Sequence, residues 1–243
     1  MKTSTIKIKI LSIISLIGLY FLFYKVINNE LLFPHINLVL TTLLDILISI
    51  SFFKILFFTI LRFILCFVIS FIFGLVLGLI SALWNSFYLF LRPYMNIFKS
   101  LPFVCLVMIV FIFLGYRITP YVITILVLLP LIFQATYDGI KNIDEELIAV
   151  YQLDSPINLK IIFNVYLPLI ISYIKVAVMQ MIGLGIKVLI SSEFLCQTPL
   201  SFGKEIASAI NNIEYNKVFA YSIIIIIMVN FFEKCVNFCK NLK

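Results

Sequence analysis

Charge is scarce in this chain: Asp, Glu, Lys and Arg together make up 12% of its 243 residues, against about 25% in soluble domains. With 63% hydrophobic residues, it has too little polar surface to cover itself in water, which excludes a soluble enzyme and a nucleic-acid-binding domain. Histidine is scarcer still. His35 is the one imidazole, so no HExxH site can be built. Cys235 and Cys239 stand one helical turn apart but lack the further ligands that zinc requires, and no metal is expected. The five cysteines, Cys66, Cys105, Cys196, Cys235 and Cys239, are an odd number scattered mainly through apolar runs. That pattern argues for small core side chains and against a disulfide framework. Catalytic patterns are missing too: Gly203-Lys204 is followed by Glu205 with no glycine at the required upstream position, and no serine sits in GxSxG. No catalytic residue and no cofactor on this chain are expected.

What remains is a chain for a bilayer, and the net charge of +7 reads as a set of topology markers at the membrane surface. A helix needs about 20 mostly apolar residues to cross about 30 Å of hydrocarbon. Runs poor in charge place spans at 10–24, 63–91, 100–116, 118–137, 161–192 and 218–232. The fold class is therefore an all-α integral membrane protein with about six transmembrane helices. Lys2, Lys7 and Lys9 precede the first apolar run, whose exit at Tyr24 to Asn29 lacks a small-x-small cleavage pattern, so it reads as a retained anchor over 1–29. Six crossings put both termini in the cytoplasm. The outer side would then carry Lys25, Lys54, Arg62, Arg117, Lys204 and Lys217, and the inner side, Lys99 included, the larger share of the basic residues. Thr41, Asp45 and Ser49 form a polar stripe on residues 36–50. That stripe fits an external interfacial segment over 30–56, or else the lumen-facing side of a true span.

Several residues stand out within this frame. Ser70, Gly74, Gly78 and Ala82 form a small-xxx-small ladder that lets another helix approach closely, within one chain or between two. Pro130 falls inside the fourth span as a static kink or a moving one. The fifth span holds Gln180, Lys187 and, near its outer end, Glu193. With Gln134 of the fourth span these are candidates to line a translocation path; the alternative for Lys187 is snorkelling to the surface. Between spans four and five, Asp144, Glu145 and Glu146 lead into an apolar pattern at Leu147, Ile148, Val150 and Tyr151, a break at Asp154-Ser155-Pro156, and a second short apolar stretch that ends in Leu167-Pro168. Two short amphipathic helices there make either a docking platform for a soluble partner or a surface loop.

Over residues 30–235 the chain resembles the inner-membrane permease subunit of binding-protein-dependent ABC importers, in the sulfonate, nitrate and taurine group. The resemblance rests on Leu91-Arg92-Pro93, then Ser100-Leu101-Pro102, then Phe113-Leu114-Gly115, Pro130, Gly139 and Asp144 in that order. Thr59, Leu61 and Arg62 ahead of Gly74 and Gly78, and Glu193 ahead of Ser201-Phe202-Gly203, add to it. The family's cytoplasmic signature, Glu-Ala-Ala with a later glycine and Leu-Pro, is partly present. Leu167-Pro168 matches, while counting back puts Ala149, Val150, Tyr151 and Ser155 at the motif positions, or Glu146 at the glutamate with an insertion.

The resemblance implies a permease core over 57–236, a cytoplasmic coupling loop over 139–166 and a tail over 237–243. ATPase-coupling residues would be Glu146, Leu147, Ala149, Val150, Tyr151, Leu153 and Ser155. It also implies a homodimer in a bacterial inner membrane, two ATPase subunits that carry ATP and Mg, an extracytoplasmic solute-binding protein, and alternating access for a small solute. A secondary carrier or a membrane-bound substrate-binding subunit is the competing class.

Overall fold

The computed structural model describes residues 18–27, 29, 30, 32–144 and 162–241, with Leu11 and Ser15; for 162, 163 and 236–241 it describes the backbone only. Among the described residues every regular element is helical: α1 (Gly18–Ile27), α2 (Ile36–Ile48), α3 (Ile50–Leu83), α4 (Asn85–Ser100), α5 (Phe103–Lys141), α6 (Ile171–Cys196), α7 (Phe202–Asn211) and α8 (Tyr215–Asn241). A π-helical turn, Ile162–Tyr166, leads through Leu167–Leu169 into α6. Among the described residues four helices, α3, α5, α6 and the Tyr215–Cys235 part of α8, are long and apolar enough to cross a membrane. The expected boundaries move in two places. Lys54 and Arg62, which a search for charge-free runs assigns to an outer segment, lie inside α3. The expected spans 100–116 and 118–137 fall on one element, α5, which is broken at Gly115 rather than at Arg117.

The chain divides into two units, residues 1–53 with 205–226 and residues 54–204 with 227–243. In the first, Tyr20, Phe33 and Phe219 bring their rings within 4.7–6.3 Å of each other, and the Tyr20 hydroxyl donates to the Pro34 carbonyl at 2.6 Å. His35 caps α2 by accepting from the Asn37 amide. Ser49 ends α2 in an extended conformation and accepts from the Phe52 amide, which starts α3 afresh. The Thr41, Asp45 and Ser49 stripe lines a polar cavity of about 600 Å³ together with Glu205, Ser208 and Asn212. Asn216 closes one side of it by donating to Thr42 at 2.9 Å.

The second unit is organised by a seam between α3 and the later half of α5. The Cys66 thiol meets the Tyr121 carbonyl at 3.6 Å, and one turn on the Ser70 hydroxyl meets the Ile125 carbonyl at 3.4 Å. A turn further, a Cβ on Gly74 would stand 2.9 Å from the Leu129 carbonyl, and next a Cβ on Gly78 would stand 2.9 Å from that of Phe133. Ala82 continues the series against Ile140, Tyr166 and Ile170. The small side chains thus lie on the carbonyl row of a neighbouring helix in the same chain, and both helices run in the same direction, since the paired numbers rise together. Against α6 the numbers run oppositely: Leu128 and Ile132 pack with Ala177 and Met181, while Ile123 packs with Val188 and Cys196. Of the four long apolar helices, α6 is the most enclosed.

Two breaks shape the return of the chain between α3 and the later half of α5. Leu101 is extended because a residue before proline is pushed out of the helical region, so α4 stops and α5 restarts at Pro102. Gly115, at φ 70° and ψ 177°, occupies a region that is essentially glycine-only. Pro120 then removes the amide that would bond the Tyr116 carbonyl, and the Thr198 hydroxyl supplies the missing donor at 2.9 Å. Gly115→Ala is expected to cost about 1–3 kcal/mol through backbone strain, because a Cβ there meets nothing within 4 Å. Thermal unfolding in detergent checks this against Gly18→Ala, also without neighbours within 4 Å; equal melting temperatures would remove strain as the cause.

Candidate functional site

Arg62 and Glu193 meet within the second unit. Glu193 is fully buried in α6, and its Oε1 accepts from the Arg62 guanidinium at 2.8 Å. The same guanidinium donates to the carbonyls of Leu200 at 3.0 Å and Pro199 at 2.8 Å. It thereby ties the turn after α6 back onto α3. That turn needs tying, because Gln197 and Leu200 both have positive φ, 50° and 51°, without being glycine. Glu193, expected to line a path, instead faces inward onto this arginine. Arg62, read from the sequence as a surface marker, is 9% exposed.

Lys187 has a different setting. By its 26 residues, α6 is about 39 Å long. Centred in about 30 Å of hydrocarbon, it would leave Lys187 about 10 Å inside the boundary. A lysine at a helix centre costs about 2.5–3.5 kcal/mol on the insertion scale; Lys187 is exposed on α6, a position open to a polar path or to snorkelling toward the surface. It lines a cavity of about 400 Å³ with Lys99, Ser191, Phe98, Phe103 and Leu106. Lys99 was expected on the inner surface; the structure brings it to the same cavity, at the last turn of α4 beside the break at Leu101. No signal along the sequence joins the two lysines, since they belong to helices that meet only in the fold.

The other path candidates lie elsewhere. Gln180 lines a cavity of about 390 Å³ with Ala135, Ser172, Tyr173 and Val176. Gln134 is half-buried and donates to Asp138, one turn on, at 2.8 Å. The structure therefore does not gather Gln134, Gln180, Lys187 and Glu193 into one site. Glu146, Leu147, Ala149, Val150, Tyr151, Leu153 and Ser155 lie outside the described residues. The neighbouring Leu167-Pro168 is described, at the start of the approach to α6.

No curated protein matches the chain. The family model of the binding-protein-dependent transport system inner membrane component matches residues 74–238. That range runs from the middle of α3 to the end of α8 and takes in the α3–α5 seam from Gly74 on, the Lys99–Lys187 cavity and Glu193. A transport component of this kind is not an enzyme, and the apolar helices make the chain a multi-pass membrane protein. The chain belongs to the family of inner membrane components of binding-protein-dependent transport systems.

Proposed function

We propose that the chain is the permease subunit of an ATP-driven importer for a small solute of the sulfonate, nitrate or taurine kind. Two copies form the path by alternating access. Two ATPase subunits holding ATP and Mg dock under residues 144–166, and an extracytoplasmic binding protein delivers the solute. The observation that carries the reading is the family match over residues 74–238, which takes in the amphipathic stretch at 144–166. The lack of a phosphate-loop motif in the chain agrees with hydrolysis on a partner.

The register of the helices supports six crossings. Parallel neighbours in a bilayer require the chain to cross back between them, and between α3 and the later half of α5 only α4 and Phe103–Leu114 are available. Tyr88 of α4 stacks on Tyr137 at 3.9 Å, near the end of α5, while Leu106 and Val107 pack with Ile123 near its middle. The returning segment thus runs antiparallel to the later half of α5. With α1 as the anchor, α3, the return, the later half of α5, α6 and α8 complete six, and both termini are cytoplasmic.

The test is the pair Leu147→Asp and Val150→Asp. Charges on the apolar face of the coupling helix are expected to abolish substrate-stimulated ATPase activity of the co-purified complex, with the chain still inserted. Unchanged ATPase activity, or a lone chain that transports without an ATPase, sinks the importer reading and leaves a secondary carrier.

A further inference from the structure

We propose that the cavity at the break between α4 and α5 binds an organic anion, its acid group between the ammonium groups of Lys99 and Lys187 and its apolar body against Phe98, Phe103 and Leu106. The inference rests on the membrane-spanning reading above and gives one point of the proposed path a ligand chemistry. Three observations carry it.

The first is charge without compensation. Among the described residues the cavity is lined by two lysines and one hydroxyl, Ser191, and by no acidic residue; the remaining lining side chains are apolar. Neither ammonium has a hydrogen-bond or ion-pair partner among the described residues, in contrast to Arg62, which has a carboxylate and two carbonyls. Both lysines are exposed in the single chain, and two like charges on one open cavity repel each other and attract an anion.

The second is the backbone. Phe103 begins a helical segment whose N-cap, Pro102, makes no side-chain cap bond, so the first amides of that segment are without intrahelical acceptors. This positive helix end lies beside the two lysines and adds to the same preference. A helix interrupted in mid-crossing, with its free end on a cavity, is the way membrane transport proteins expose backbone to a solute. The third is size and lining. About 400 Å³ holds a compact solute, and the phenyl rings of Phe98 and Phe103 offer its body an apolar wall, so a fully hydrated inorganic ion fits the lining poorly.

An anion with an apolar body has two sources, a free organic acid or the headgroup region of an anionic lipid. The experiment uses the full chain, without ATPase partners, in lipid nanodiscs, and reads the binding of para-fluorobenzoate by fluorine NMR against the uncharged para-fluorobenzamide. In phosphatidylcholine discs the acid is expected to bind saturably and the amide not. Lys99→Gln with Lys187→Gln should weaken the acid by about tenfold or more, while Lys99→Arg with Lys187→Arg retains it. Where the glutamine pair does not assemble, Lys187→Gln alone gives the same reading. Phosphatidylglycerol discs separate the sources: displacement of the acid assigns the site to a lipid headgroup, and undiminished binding assigns it to a free acid, both within the proposal. Binding that is equal in wild type and the glutamine variants, or that is absent, overturns it. Because no ATPase is present, a failure of the importer reading would appear in co-purification and not in this titration.

Discussion

Arg62→Met is expected to cost the folded chain about 3–5 kcal/mol, the cost of leaving a buried charge without its partner. Glu193 is fully buried and Arg62 pairs with it at 2.8 Å; among the described residues the second carboxylate oxygen of Glu193 has no hydrogen-bond partner. Removing the guanidinium also strips the donors from Pro199 and Leu200, so the turn that holds two residues at positive φ is released. Glu193→Leu should be nearly as harmful, because it leaves the arginine buried with carbonyls alone. The two together should recover much of the loss, since an apolar pair of similar volume often replaces a buried ion pair at little cost. Thermal unfolding of the three variants in one detergent measures the coupling. Additive losses would mean that the pair does not hold the fold.

Gly203→Ala acts on the same turn from the other side. A Cβ on Gly203 would fall on the Phe194 amide nitrogen and stand 2.6 Å from both the Glu193 carbonyl carbon and the Ile190 carbonyl oxygen. All three are backbone atoms near the end of α6 and cannot rotate away, so the start of α7 must lift off α6. The expected loss is about 3 kcal/mol, at the upper end of overpacking costs, for the addition of one methyl group. Melting temperature and the fraction recovered from membranes in mild detergent read it. A change no larger than that of Gly18→Ala would show that the contact yields.

These two sites mark the limit of what the sequence discloses. The long apolar helices are legible because hydrocarbon demands long runs without charge, and Gly74 and Gly78 are legible as a ladder because their spacing repeats the helical turn. The start of α3 is not, since Lys54 and Arg62 interrupt the run that a charge count follows, although the helix continues through both. The partnership of Arg62 with Glu193 leaves no local trace either. Sequence places one in an outer segment and the other on a path, and only the packing of α3 against α6 joins them. Lys99 is hidden in a similar way, in an amphipathic helix whose charges read as surface until α4 is seen to end beside Lys187. The break near the middle of α5 is half-legible: Arg117 draws attention to the place, but the conformation that makes the break belongs to Gly115.

The Arg62–Glu193 pair also sets an order in time. Its members are 131 residues apart in the chain, so at about 5–20 residues per second the arginine leaves the ribosome roughly 7–26 s before the glutamate. During that interval α3 has to enter the bilayer on the strength of its other residues, with one guanidinium uncompensated. The neutralising partner arrives only with the end of α6, and the turn it secures is made immediately afterwards. A pause or truncation in synthesis before α6 therefore strands a cationic helix in lipid, the kind of intermediate that membrane quality control removes.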